Sequence, residues 1–139
     1  MIADILRIPG KEWYVQHCSE HGWGCETGDG PLWFHEKGNF VPLLPLLEMP
    51  WLSAGELVHQ AAQTREGLTP FPFEATLLAA LAWSTEHWPT MAVQWLEQGF
   101  PLSPAAVISL RAISSNNAMS QRLRHRSLVL IRRGVRREA

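Results

Sequence analysis

The sequence predicts a mostly helical α+β chain, with a small irregular N-terminal β element packed on a C-terminal bundle of four to five short helices. Three observations predict it. Six of the ten glycines fall within positions 10–38, and Pro9, Pro31, Pro42, Pro45 and Pro50 interrupt any long helix before residue 52. From Ser53 onward, apolar residues recur at helical spacing between Ser, Asn, Gly and Pro positions that suit helix ends. A chain of 139 residues, 46% hydrophobic and 18% charged, suits one core. A single domain over 1–139 is therefore expected, with a Gly/Pro/Trp-rich strand-and-loop part at 1–52 and a helical part at 53–139.

In the first part, Glu12 to Cys18 has the aromatic and β-branched density of a short strand. Residues 1–8 or 11–21 have a short helix as an alternative, because Ile2, Ile5 and Leu6 also fit a helical face. Leu32–His35 and Phe40–Leu44 flank Glu36-Lys37-Gly38-Asn39, which reads as a hairpin loop. The run from Pro42 to Leu47 reads as an extended apolar strap whose leucines seek burial, and its PxxP spacing is a remote second choice as a ligand for an SH3-like domain.

In the second part, Ser53-Ala54-Gly55-Glu56 matches a capping box, in which hydroxyl and carboxylate each satisfy a free amide, and it predicts a helix over about 54–65. Glu74 to Thr85 is apolar around most of its circumference and marks a helix buried on several sides. Pro89 belongs in the first turn of a helix running to Gln98 and stopped by Gly99. Ser103-Pro104 opens a helix to about Ile113, with Ala106, Val107, Leu110 and Ile113 facing in. Asn116 or Asn117 caps a last helix that runs to Arg133 and stops at Gly134. The segments 74–98 and 103–133 resemble two solenoid units in outline, yet share no residues at corresponding positions.

No apolar stretch reaches the roughly 18 residues needed to span a bilayer, and Asp4 and Arg7 occupy what would be the apolar core of a signal peptide. A cytoplasmic location without membrane partners is expected. Cys18 and Cys25 are then free thiols or metal ligands rather than a disulfide.

Charge is distributed unevenly. Four basic and twelve acidic residues give −8 over 1–110, whereas eight arginines and one acid give +7 over 111–139. At about 100° per residue, Arg122, Arg126 and Arg133 fall on one stripe of the last helix, beside a Leu/Ile docking face. Arg136 and Arg137 join the stripe if the helix continues past Gly134. Planar guanidinium groups without lysine favour bidentate recognition of carboxylate or phosphate. These arginines can also neutralise the acidic part of the same chain.

The expected partner-binding residues are Arg122, Arg126, Arg133, Arg136 and Arg137, with Trp88 and Trp95 as aromatic anchors, since Trp and Arg are enriched at binding hot spots. No catalytic residue and no cofactor is assigned. Cys18, His21, Cys25 and His35 form a weak Cys2His2 set for structural zinc, lacking the usual paired doublets. Cys18 with His17, His21 or His35 and Asp29 could be drawn as a thiol nucleophile with base and orienter, but no signature surrounds the thiol. The Gly-rich run 22–30 lacks the lysine and setting of a phosphate-binding loop.

A non-catalytic protein-interaction module of the adaptor, chaperone-like or toxin-neutralising kind is the leading expectation, with an acidic protein partner. A nucleic-acid-associated factor using the same arginines on phosphate is second, and a small enzyme centred on the Cys18–His35 loop is third. The near-neutral total charge of −1 weighs against the second.

Overall fold

The computed structural model describes the backbone of residues 2–138 and the side chains as far as residue 134. It is an α+β fold, mostly helical: four antiparallel strands at the N-terminus are followed by seven helices. The chain divides into two compact units, Met1–Thr76 and Leu77–Ala139. The division falls 24 residues later than the composition change near residue 52, inside a helix that the sequence reads as continuous.

The first unit is built on a meander of β1 (Ile2–Arg7), β2 (Tyr14–Cys18), β3 (Gly22–Thr27) and β4 (Gly30–Trp33), each paired with the next. Register places Val15 opposite Cys25 and His17 opposite Trp23, so these four side chains share one face, and all four are buried. Gln16 and Gly24 lie on the other face, where Trp33 also pairs with Gly24. Here glycine is required: a Cβ at Gly24 would come within 2.5 Å of the Trp33 ring. Ile2–Arg7 is thus strand rather than helix, and the Gly-rich run at 22–30 supplies β3 and a turn.

After β4 the expected hairpin is absent. Phe34–Lys37 forms α1, closed by Gly38 in the left-handed conformation at φ 59°, with Asn39 N–H donating to the Phe34 carbonyl at 3.0 Å. The proline-rich strap is a 3-10 helix over Val41–Glu48, not an extended segment, and it does bury Leu43, Leu44, Leu46 and Leu47. Pro42 suits its first turn, where no amide partner is needed. Next, α2 (Trp51–Ala62) starts one turn early: Pro50 is the N-cap, no side chain caps it, and Ser53 lies inside the helix. Ala54 and Val58 form its buried face, and it packs against β1 and the 3-10 helix.

Thr69 fastens the loop after α2 to β2 and β3, and Arg65 in the same loop donates to the Asp4 carbonyl of β1 at 3.3 Å. Thr69 donates its amide to His17 Nε2 at 3.3 Å, places its hydroxyl 3.2 Å from the same nitrogen, and accepts from Trp23 Nε1 at 3.0 Å. Trp23, Phe71, Phe73 and Trp51 continue from there as successive ring contacts of 4.7–5.0 Å.

The second unit takes in the end of α3 (Phe73–Leu81), then α4 (His87–Glu97), α5 (Pro104–Ser114) and α6 (Gln121–Glu138). Pro89 sits in the first turn of α4, and Gly99, at φ 111°, ends the segment as expected. Ser103 caps α5, accepting the Ala106 amide at 3.1 Å. Two expectations for the last helix fail. Asn116 caps only the turn, through the Ala118 amide, whereas Ser120 caps α6 through the Leu123 amide. Gly134 does not stop α6, because a glycine closes a helix by taking the left-handed conformation itself, and Gly134 has no positive φ and stays helical. Leu123, Ser127, Leu130 and Ile131 form the buried stripe of α6. Among the described residues, no helix is long and apolar enough to cross a membrane.

Candidate functional site

The sequence of α5 writes two stripes on one helix. Ala106, Leu110 and Ile113 are buried, whereas Pro104, Val107, Ile108 and Arg111, spaced i, i+3, i+4, i+7, line a second face. That face borders a cavity of about 540 Å3. Its opposite wall is α6, through Leu130, Ile131, Arg133 and Gly134, and its end is formed by Leu96, Glu97 and the turn through Gly99, Phe100 and Leu102. Ile108 is 71% exposed there, an apolar side chain at the edge of the cavity.

The α5–α6 pair is a helical hairpin. The turn at 115–120 joins the end of α5 to the start of α6, and Leu102, just ahead of α5, meets Gly134 near the far end of α6. A Cβ at Gly134 would stand 2.6 Å from Leu102 Cδ2, so this glycine lets Leu102 lie close to α6. Glu86 accepts the Ser120 amide and fixes the turn.

The cavity rim is cationic. Arg111 and Arg133 are exposed, and among the described residues neither forms an ion pair. Glu97 is the one carboxylate among the lining residues, and Arg126 occupies it with two hydrogen bonds, Nε to Oε2 at 3.1 Å and Nη2 to Oε1 at 2.5 Å. That bidentate bond holds the Arg126 guanidinium above its ordinary pKa, with burial opposing. Among the described residues, the lining thus retains two guanidinium groups without an ion pair.

Of the arginines expected to bind a partner, Arg122 is exposed on the first turn of α6, Arg126 is half-buried on Glu97, and Arg133 lines the cavity. The side chains of Arg136 and Arg137 lie outside the described residues. Arg124 is half-buried, with its Nε lacking a hydrogen-bond partner among the described residues. The two expected tryptophan anchors differ. Trp88 is half-buried against His87, its ring centroid 4.6 Å away. Trp95 is only 1% exposed and belongs to the core beside Phe100, because its helical position shares the buried stripe of Ala92, Val93 and Leu96. It offers no surface to a partner.

The zinc set is not assembled. Cys18 and Cys25 lie on opposite faces of the β2–β3 pair, since Cys18 is three residues from Val15, the partner of Cys25. His21 stacks on Trp33 at 5.0 Å and bonds Glu36 through Nδ1 at 2.5 Å, and exposed His35 meets Phe40 edge-on. Among the described residues, no group of three or more His, Cys, Asp or Glu could hold a metal ion. Cys18, the thiol drawn as a nucleophile, is buried in β2. In β3, burial, with Glu26 adding to it, pushes the Cys25 thiol up, away from the thiolate.

Arg111, Val107 and Ile108 are site residues that the sequence reading passed over. The signal was the i, i+3, i+4, i+7 stripe on α5, masked by assigning Val107 to the buried face. The chain matches no family model, no curated protein and no solved structure.

Proposed function

We propose that this chain is a non-catalytic protein-interaction module, working in the cytoplasm, whose second unit binds an acidic protein partner through the α5–α6 hairpin. The observation that carries this reading is the cavity, walled in part by Val107, Ile108, Leu130 and Ile131 and bordered by Arg111 and Arg133, two guanidinium groups without ion pairs among the described residues. Arg122 extends the cationic surface along α6 and Trp88 is a candidate edge contact. The charge balance supports the same reading: four basic and ten acidic residues give −6 to the first unit, and eight basic and three acidic give +5 to the second. A cationic unit attracts acidic partners and steers their approach.

Affinity capture from the native cell tests it, comparing the wild-type chain with the R111E/R122E/R133E variant after nuclease treatment. The expected result is a partner retained by the first and lost by the second. If capture is unchanged by the three substitutions, or disappears with nuclease, the reading is wrong. In the latter case phosphate recognition by the same arginines takes its place, and a low-salt gel shift with unrelated DNA and RNA detects it.

A further inference from the structure

Resting on the reading just given, we infer that the occupant of the cavity is a short amphipathic helix. Its carboxylates stand seven residues apart, with two branched apolar residues between them. Spacing comes first. Pro104 and Arg111 are seven residues apart on α5, about 10 Å along the axis at 1.5 Å per residue. The hairpin runs antiparallel, with Leu102 against Gly134, so Arg133 sits level with the Pro104 end and Arg111 lies about two turns farther along. Arg111 on one wall and Arg133 on the other are thus offset by about two turns along the hairpin, the axial offset of carboxylates at i and i+7 of a helix lying along the cavity.

Hydrogen bonding selects a helix over an extended segment. The long walls are helical, and their backbone groups in α5 and α6 are already engaged. At the end, Gly99 N–H donates to the Leu96 carbonyl and Phe100 N–H to the Trp95 carbonyl. An extended peptide would bury amides against walls that offer no partners, whereas a helix satisfies its own. The apolar requirement follows from the walls themselves. Val107, Ile108, Leu130 and Ile131 present branched aliphatic side chains between the two cations, which fits apolar residues at i+3 and i+4 of the occupant. Charge complementarity completes the match: among the described lining residues Glu97 is the one carboxylate, and Arg126 occupies it.

Fluorescence anisotropy with the full chain tests this. The probe is a labelled, end-blocked peptide of fifteen residues in an Ala/Gln background, with Glu at its fourth and eleventh positions and Leu at its seventh and eighth. Of two comparison peptides, one keeps that composition but sets the Glu residues four apart, and the other carries a proline in place of an alanine near its centre.

Saturable binding of the first peptide is expected, at least about tenfold tighter than either comparison. Arg111→Gln and Arg133→Gln each weaken it by about tenfold, Ile108→Glu removes it, and Lys37→Gln leaves it unchanged. Circular dichroism checks that the variants fold, and Ile108→Ala, which keeps the site apolar, shows a smaller loss than Ile108→Glu. Equal binding of the three peptides, absence of saturable binding, or indifference to the Arg111 and Arg133 substitutions overturns the inference. If the peptide fails while cellular capture still depends on the arginines, this occupant falls alone. If both fail, the interaction reading falls with it.

Discussion

His17 shows how one buried side chain can make this protein acid-sensitive. Thr69 donates its backbone amide to His17 Nε2, so that nitrogen must stay unprotonated, and burial lowers the His17 pKa below its ordinary value of about 6.5. The unfolded chain then takes up the proton more readily than the folded one. The resulting stability is fully present above about pH 6.5 and is lost as pH falls through the folded value. Urea unfolding at pH 7.5 and 5.5 should show this loss in the wild-type chain and a smaller one in His17→Gln. His17→Ala should cost about 1–3 kcal/mol at neutral pH by leaving the Thr69 amide without its partner. The two tryptophans expected as anchors separate by the same measurement. Trp95→Ala should cost about 3–5 kcal/mol as a core truncation, and half-buried Trp88→Ala should cost distinctly less. Neither fate was visible beforehand, because a tryptophan on a helix has the same local signature whether its stripe faces core or solvent.

At the scale of elements, local signals succeeded where one residue type has a single cheap conformation. Ser103-Pro104 opens α5 and Gly99 closes the segment before it, since a hydroxyl at the N-cap and a positive φ are local requirements. Removing either α-helix cap, by Ser103→Ala or Ser120→Ala, should cost about 1 kcal/mol in thermal or chemical unfolding, the two adding independently. The readings that failed depended on a choice between neighbours of equal local merit. Ser53 matches a capping box, yet Trp51 packs on Phe73 with a ring separation of 5.0 Å, and the helix begins at Trp51 with Ser53 inside it. The Gly-rich run at 22–30 looks like a loop until pairing is known: Gly24 is in a strand because Trp33 needs its missing side chain. Alternation in β3 involves Trp23 and Cys25 alone, too few residues to register as a period. The cavity had a visible half, the α5 stripe ending in Arg111, and an invisible half, because nothing local places Arg133 opposite it.

For the molecule as a whole, the charge polarity assigns different kinetic roles to different residues of the second unit. Arg122 is exposed on the first turn of α6 and lies outside the cavity lining. In the interaction proposed, its effect on a partner is long-range attraction, which acts before contact and is screened over a Debye length of about 8 Å at physiological salt. Ile108 carries no charge and acts only after the partner is seated, through apolar area withdrawn from water. Once a partner is in hand, Arg122→Gln should lower the association rate and flatten its dependence on salt, with little change in dissociation. Ile108→Ala should do the reverse, leaving association and its salt dependence intact while dissociation quickens by about tenfold or more. Glu97→Gln offers a third behaviour. It replaces the bidentate ion pair with Arg126 by a neutral contact and adds one net positive charge beside the cavity, so association with an acidic partner should accelerate. The stability given up should stay at or below about 1 kcal/mol for a partly exposed pair. Surface plasmon resonance across a salt series separates the three. If all three variants changed only dissociation, the second unit's positive charge would have no steering role, and its arginines would act solely by contact.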